Sequence, residues 1–335
     1  MLSVTAHCHP GNPGKYLLGE TTMTILIVTN RNVNQGSTDD TLFGDGFNRK
    51  GPGELRFAWA EHDGNGGNWK LKLIPETGMT PANLPSRKVF EQFRDSLIAS
   101  GRDCTMFVHG FNQTLKKNLR KCWELEHTYG VDVVAFSWPS NPGGFKPREY
   151  RKAQAAARIS VMALDRAFEK LGQYVHDDLI ADCRVSFNLI IHSLGNYLFE
   201  SFVRDPVFAG QTRIFDNLIL HEADVNHRDH YGWVNALQYS KRVLVTINEN
   251  DKVLDWSDTI NPDRLGNTAR DLTASRPVYV DFTDAKDVGQ HHRLFWKARR
   301  NPHVKGFFDR ALHGRRAELG TGLTFNPQKN AYEVA

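Results

Sequence analysis

Short apolar runs alternate with segments of helical periodicity through most of the region from Arg87 to Leu312. Apolar runs bounded by polar turns predict buried strands, whereas apolar residues that recur at steps of three and four predict amphipathic helices. Strands are predicted at 105–108, 131–136, 185–191, 215–220, 242–247 and 278–282, with helical segments between them and a basic helix beginning near His291. Because strand and helix alternate, the sequence predicts an α/β protein with a mostly parallel, doubly wound sheet and helices on both faces.

The chain before Arg87 follows a different pattern. A strand is predicted at 24–29, and two more at 55–61 and 69–74 are joined by a turn rich in Asp, Asn and Gly. The same turn-forming residues fill 30–53, which predicts a long loop. We therefore expect an N-terminal antiparallel extension of the main sheet.

The domain organisation predicted from these patterns is a single domain over 23–315. Residues 23–86 form its strand extension and 87–315 its catalytic core, with no repeat or low-complexity linker between them. Residues 1–22 are expected to be a flexible leader, which makes Met23 a candidate natural start, and residues 316–335 a C-terminal tail.

Composition narrows the class of protein. The 335 residues are 40% hydrophobic and 24% charged, which is ordinary for a soluble globular protein. No apolar run approaches the roughly 20 residues needed to span a bilayer, and no signal peptide is recognised, so we expect a cytoplasmic protein. A net charge of +4 does not favour a nucleic-acid partner. The four cysteines lack CxxC spacing and His227 and His230 lack an evident third ligand, so no disulfide framework or metal site is predicted.

Candidate chemistry begins at Ser193, because the strand predicted at 185–191 runs into a serine and a helix follows it directly. This is the arrangement of a nucleophile elbow, in which a tight turn lifts the hydroxyl above the sheet edge. Gly195 lets the helix pass close to the strand, but Ile191 stands where the usual motif has a second glycine and would crowd the turn. The alternative is an N-cap serine that opens an ordinary helix.

An oxyanion hole provides an independent indication. The segment His109-Gly110-Phe111-Asn112 follows the strand predicted at 105–108, and Gly110 frees its backbone to turn. The N–H groups of Phe111 and Leu194 are the predicted donors. The order and distance of this loop before the serine favour the nucleophile over the N-cap interpretation.

An acid and a base are expected after later strands, in the order Ser, Asp or Glu, His. Asp251 is the favoured acid because it lies one strand nearer to the expected histidine, and Asp224 is its rival. His291 and His292 both follow the last predicted strand, and spacing alone does not separate them.

Six short motifs carry a resemblance to a known family, namely VTNR at 28–31, HGFN at 109–112, FSWPS at 136–140, HSLGN at 192–196, ND at 250–251 and RLG at 264–266. With these motifs the chain resembles a bacterial α/β-hydrolase family, domain of unknown function 900, over most of 24–312. The resemblance implies the α/β-hydrolase fold, a Ser-Asp-His triad and esterase or lipase-like chemistry. Members of the family often lack the first elbow glycine, but they tend to carry a small residue at the elbow, and Ile191 is bulkier. Their histidine precedes an aromatic pair, and alignment on Phe295 selects His292, with Leu294 in the first aromatic position.

The sequence therefore predicts a serine hydrolase that cleaves a carboxylic ester through an acyl-enzyme, with thioester or amide bonds as alternatives. Ser193 is the predicted nucleophile, His292 the base, Asp251 the orienting acid, and Leu194 and Phe111 the oxyanion donors. No metal or organic cofactor is required.

Two other functions remain open at this point. One is a non-catalytic binding module on the same scaffold. The other is a lipid-directed hydrolase, a lipase or phospholipase, that meets anionic headgroups through basic side chains near the C-terminus. A solvated helix face is the competing interpretation of those side chains, which are Lys297, Arg299, Arg300, Lys305, Arg310, Arg315 and Arg316.

Overall fold

The computed structural model describes residues 24–75, 85–176, 185–207 and 212–334. The predicted leader and the candidate start at Met23 lie outside these residues. The strands described are β1 (Thr24–Thr29), β2 (Arg31–Val33), β3 (Phe43–Phe47), β4 (Arg56–His62), β5 (Trp69–Leu73), β6 (Cys104–Val108), β7 (Asp132–Ser137), β8 (Phe187–His192), β9 (Phe215–His221), β10 (Ser240–Ile247), β11 (Pro277–Asp281), β12 (Leu323–Asn326) and β13 (Ala331–Val334). The helices described are α1 (Pro85–Ser100), α2 (Leu115–Tyr129), α3 (Pro147–His176), α4 (Gly195–Arg204), α5 (Tyr231–Val234), α6 (Lys252–Asp258), α7 (Leu294–Lys297) and α8 (Pro302–Leu312).

One large sheet organises the molecule. Its strand order is β12-β13-β11-β10-β9-β8-β6-β7-β1-β4-β5. All neighbours from β13 to β1 pair in parallel, whereas β12 at one edge and β4 and β5 at the other pair antiparallel. The predicted mostly parallel, doubly wound sheet is confirmed, and the predicted antiparallel N-terminal strands are β4 and β5.

Two apolar clusters cover the two faces of this sheet. Successive strand residues point to opposite faces, so Leu189 and Ile191 enter one cluster while Ile190 enters the other. Apolar residues of α1, α3 and α4 complete the first cluster, and those of α2, α7 and α8 complete the second. Strands that are buried on both faces are uniformly apolar, and this explains why their positions were predictable.

The N-terminal segment differs from expectation in two ways. β1 pairs in parallel with β7, so it belongs to the parallel part of the sheet and only β4 and β5 extend it antiparallel. The stretch predicted as a long loop contains a small separate sheet of β2 and β3. Gly44 and Gly46 weaken the strand pattern of β3, because glycine is depleted in strands.

Part of the predicted C-terminal tail, residues 316–335, forms two strands of the main sheet. β13 pairs in parallel with β11, and β12 pairs antiparallel with β13 at the edge of the main sheet. Four-residue strands at a sheet edge show too little alternation to be recognised from sequence.

The described residues also bear on the predictions about membrane spans, cysteines and basic side chains. None of the helices described has the length and apolar character needed to cross a membrane. Cys104 and Cys122 are buried in the core, while Cys8 and Cys183 lie outside the described residues. Among the basic side chains near the C-terminus, Arg315 has a partner within the chain, because it pairs with Asp309 at 2.7 Å.

Candidate active site

Ser193 lies at the turn between β8 and α4 with a backbone φ of +56°. A non-glycine residue in this left-handed region is strained, and such strain is found where the surrounding structure imposes it. The Nδ2 of Asn196 donates to the carbonyls of Ile191 and Ser193, both at 3.0 Å, and the N–H of Ser193 donates to the carbonyl of His221 at 3.0 Å. These bonds hold the serine above the sheet edge.

Two glycines allow the backbone to pass close to this turn. A Cβ on Gly195 would lie 2.7 Å from the carbonyl oxygen of His109, and a Cβ on Gly110 would lie 2.6 Å from the Cβ of Ser193. Both distances are shorter than a side chain tolerates. Ile191, whose bulk we expected to crowd the turn, is completely buried in the first apolar cluster.

The predicted oxyanion donors flank the serine. Within the described part of the chain, neither the N–H of Phe111 nor that of Leu194 donates a hydrogen bond to another group. Both residues are buried and Phe111 lines the cleft in front of Ser193. Two unpaired backbone donors beside a serine hydroxyl are the arrangement that stabilises an oxyanion.

The segment at 136–140 supports the oxyanion loop, which accounts for the joint presence of the HGFN and FSWPS motifs. The backbone N–H of Trp138 donates to Nε2 of His109 at 3.1 Å, and the indole Nε1–H donates to the His109 carbonyl at 2.8 Å. Ser140 accepts from the backbone N–H of Gln113 at 3.1 Å. The buried Arg31 of the VTNR motif donates to the carbonyl of Gln113 at 2.7 Å, so three of the motifs meet at one loop.

Asp251 and His292 are in direct contact. The Nδ1 of His292 lies 2.6 Å from Oδ2 of Asp251. A carboxylate accepts, so Nδ1 carries the proton and Nε2 is left free to act as a base. The other carboxylate oxygen, Oδ1, caps α6 by accepting from the N–H groups of Val253 and Leu254 at 2.9 and 3.3 Å. Asp251 therefore fixes both the start of a helix and the orientation of the imidazole.

The loop that carries His292 is tied to neighbouring strand ends. The Nδ2 of Asn248, just after β10, donates to the carbonyls of Gly289 and His291, both at 3.0 Å. His192 contacts the carbonyl of His292 through Nε2 at 2.8 Å. The side chain of His291 is exposed, whereas that of His292 is 15% exposed and lines the cleft together with Ser193.

Asp224, the rival acid, is occupied elsewhere. Its carboxylate accepts from the hydroxyls of Tyr150 at 2.9 Å and Ser257 at 2.7 Å, and Arg264 lies at 3.9 Å. Burial raises the pKa of Asp224, against the opposing effect of Arg264. The structure thus brings His292 to Asp251 and surrounds Asp224 with hydroxyl donors.

Glu222 is a residue that the sequence analysis missed. Ligating atoms of Glu222, Asp251 and His292 all lie within 4.8 Å of one another, and Glu222 has a backbone φ of +45°. Its carboxyl group is completely buried, beside the Thr246 hydroxyl and the Asp251 carboxylate. Burial and the Asp251 carboxylate raise the pKa of Glu222 well above its usual value, which favours the protonated form that can donate to Asp251.

The charge of Asp251 follows from these neighbours. Burial tends to raise the pKa of Asp251, but attraction and hydrogen bonding to His292, with the bonds from Glu222 and the α6 backbone, outweigh burial and leave it lowered. Asp251 therefore stays ionised at neutral pH, beside a carboxyl group whose pKa is shifted in the opposite direction. The signal for Glu222 in the sequence was an acid placed directly after a strand, in the same loop as Asp224.

Among the residues that the structure describes, Glu222, Asp251 and His292 form a group whose ligating atoms are close enough to chelate an ion. An ion there would displace the Asp251–His292 hydrogen bond at 2.6 Å. The other histidine pair considered has protein partners, since Nε2 of His227 contacts the Arg270 carbonyl at 2.7 Å and Nδ1 of His230 contacts the His227 carbonyl at 2.6 Å.

A strained serine between parallel strand and helix, with an acid and a histidine after later strands of the same sheet, is the architecture of an α/β hydrolase. Residues 87–294 match the family described as "Alpha/beta hydrolase of unknown function (DUF900)", and the chain belongs to that family. This confirms the resemblance and the fold inferred from the motifs. A comparison with curated protein sequences finds no similar protein. Among solved structures, the chain is similar to lipase B of Aspergillus fumigatus, with 12% identity and a TM-score of 0.38. The alignment covers 64% of this chain and 53% of the lipase, so the chain spans about half of that protein's length.

Proposed function

We propose that this hydrolase is a serine esterase that works through an acyl-enzyme, with Ser193, His292 and Asp251 as its triad. The observation that carries the proposal is the 2.6 Å contact between Asp251 and His292 on the cleft that also exposes Ser193. A serine hydroxyl becomes a useful nucleophile only when an oriented base accepts its proton.

The reaction uses the groups of this cleft in two halves. Ser193 Oγ bonds to the carbonyl carbon of the ester while Nε2 of His292 takes the hydroxyl proton, and the carbonyl electron pair moves onto oxygen. The N–H groups of Phe111 and Leu194 stabilise that oxyanion. When the tetrahedral intermediate collapses, the bond to the alcohol breaks and His292 gives the alcohol its proton.

Deacylation repeats these steps with water as the nucleophile. His292 accepts a proton from water, the hydroxyl adds to the acyl carbon, and Ser193 leaves with the proton from His292. Asp251, held ionised, stabilises the imidazolium in both halves. The steps are complete without a metal or an organic cofactor.

A fluorophosphonate probe tests this function directly. We expect the probe to label Ser193 and p-nitrophenyl esters to be hydrolysed, and Ser193→Ala to abolish both. Ser201→Ala is the matched control, because Ser201 lies on α4, where its hydroxyl donates to the Tyr197 carbonyl at 2.8 Å. A folded wild-type protein that takes no label and hydrolyses no ester would contradict the proposal and favour a non-catalytic binding module.

A further inference from the structure

The cleft at Ser193 carries an excess of positive charge. It has a volume of about 600 Å³. Five basic side chains line it, namely Lys116, Lys117, Arg120, Lys121 and Arg293. Glu124 is the one carboxylate among the residues described as lining it. A cleft of this kind attracts and concentrates anions.

Two of these basic groups lie near the same carboxylate, that of Glu124, and a third forms an ion pair with a different acid. Arg293 lies 3.2 Å and Arg120 lies 3.8 Å from the Glu124 carboxylate, and Lys116 pairs with Asp40 at 3.1 Å. One carboxylate does not neutralise two guanidinium groups. The cleft therefore keeps net positive charge even after its internal ion pairs are formed.

Lys121 differs from the other four basic residues. Its exposed fraction is only 7%, and its ammonium group has no hydrogen bond or ion pair with any described residue. A largely buried ammonium group without a direct partner is costly, and the attraction of Glu124 offsets that cost only in part. Burial, and then repulsion by Arg293, lower the pKa of Lys121 to about 7.

The start of α2 adds to this field. α2 begins after Thr114, directly behind the oxyanion loop, and its first turn contains no acidic residue. The N-terminal end of a helix carries partial positive charge and unpaired N–H groups. Lys117 and Lys121 lie one turn apart on the same face of α2 and both line the cleft.

We infer that the substrate of this hydrolase is an anionic ester, whose carboxylate or phosphate group binds Lys121 within the basic wall formed by α2 and Arg293. The inference rests on the proposed function and specifies its substrate class. The anion supplies the partner that Lys121 lacks, while the scissile carbonyl lies at Ser193 on the same cleft.

Matched pairs of esters test the inference on both sides of the scissile bond. For the acyl side, p-nitrophenyl hydrogen glutarate is compared with p-nitrophenyl pentanoate. For the alcohol side, 4-acetoxybenzoate is compared with 4-acetoxybenzamide. We expect kcat/KM to favour the charged ester in at least one pair, and inorganic phosphate or acetate to inhibit competitively, the stronger inhibitor indicating which anion is preferred.

Two variants isolate Lys121. Lys121→Met removes the ammonium group and keeps the side-chain length, and Lys72→Met removes one equal charge at an exposed position of β5, outside the cleft. A hydrogen bond to a charged group accounts for about a 10- to 100-fold preference. The ratio of charged to neutral kcat/KM should fall by that factor in Lys121→Met and stay unchanged in Lys72→Met.

A measurement on the wild-type protein gives a second readout. Lys121 is charged below its pKa of about 7, so the preference for the charged ester should decline as the pH rises from about 6 to 9. Taking the ratio cancels any pH dependence that the two esters of a pair share. The other groups that act on Lys121 or feel its charge are Lys117, Cys122, Glu124, Arg293, His109, His192 and His221.

The outcomes separate this inference from the function on which it rests. Faster turnover of the neutral ester in both pairs, a ratio unaffected by Lys121→Met, or a ratio that is flat with pH would overturn the anionic substrate while leaving the esterase intact. Absence of both fluorophosphonate labelling and ester turnover would overturn the proposed function and this inference with it.

Discussion

The loops after β9 and β10 each place a buried aspartate at the same edge of the sheet, yet the two carboxylates have different partners. Asp251 accepts two backbone N–H groups with one oxygen and His292 with the other. Asp224 accepts the hydroxyls of Tyr150 and Ser257. Position after a strand therefore does not decide which carboxylate meets the base. The decision comes from which loop approaches the histidine loop.

Asn248 and Glu222 show how the loops after β10 and β9 differ in their contacts with the histidine loop. Asn248 bridges from the end of β10 to the backbone of the histidine loop, so the loop of Asp251 and the loop of His292 are connected directly. The loop after β9 contributes Glu222 to the same place instead of Asp224. One loop thus supplies Asp251, whose pKa is lowered, and the other supplies Glu222, whose pKa is raised by burial and by that aspartate.

The largest expected effect comes from removing the base that Asp251 orients. His292→Ala should lower kcat by about 10⁴- to 10⁶-fold, because no other group accepts the serine proton. His291→Ala is the matched control, since its side chain is exposed and only its carbonyl holds Asn248. Ester turnover of each variant, with circular dichroism to verify folding, makes the comparison. A collapse in His291→Ala with near-normal rates in His292→Ala would reverse the two roles.

The comparison of the two aspartates is tested by their amides. Asp251→Asn should lower kcat by about 10⁴-fold, because the amide no longer holds the imidazole in the required tautomer. Asparagine is as good an N-cap as aspartate, so α6 should remain intact. Asp224→Asn should mainly cost stability, about 1–2 kcal/mol, through weaker bonds to two hydroxyls.

Steady-state kinetics and urea unfolding of both amide variants are the measurements. If Asp224→Asn loses more turnover than Asp251→Asn while both remain folded, the assignment of the acid is wrong.

The smallest effect on turnover is expected from Glu222→Gln, which keeps a neutral donor next to Asp251. The pKa of Glu222 is raised in the folded state, so its stabilising contribution is complete below the unfolded value of 4.5 and is lost as the pH rises to the folded value. The free energy of unfolding of the wild type should therefore fall by about 1.4 kcal/mol for each pH unit in that window relative to Glu222→Gln.

Denaturant unfolding of the two proteins from pH 5 to 9 measures this difference. Turnover of Glu222→Gln at pH 7 should stay close to that of the wild type. A stability difference that does not change with pH would show that Glu222 is ionised in the folded protein.

The parallel core could be predicted because its strands are buried on both faces and read as continuous apolar runs. The nucleophile turn was equally visible, since Gly195 follows two residues after Ser193 and the HGFN loop precedes both. β2 and β3 were missed because β2 has only three residues and two glycines interrupt β3, while a side chain of β2, Arg31, joins the strands by donating to the Gly44 carbonyl at 3.1 Å. The edge strand β12 and its neighbour β13 were too short to show a pattern.

The sequence was enough to predict which residue types form the candidate site and in which order they occur. It was not enough to predict the surroundings of each side chain. The contact of Asp251 with His292 agrees with the predicted pairing, while the catalytic roles of the site residues and the domain boundaries stay predictions. The raised pKa of Glu222 depends on burial beside another carboxyl group. The isolation of Lys121 depends on where α2 packs. Neither property is encoded in local spacing.

The hydrogen bonds of Arg31 have a consequence for the modularity of this protein. The match to the family covers residues 87–294. Two features that support this region precede it in the chain: β1, which lies beside β7, and Arg31, which supports the HGFN loop. β13, which covers β11, comes from after it. The matched part of the chain therefore depends for its packing on strands and side chains that lie outside the match. A fragment limited to residues 87–294 would lack β1, Arg31 and β13.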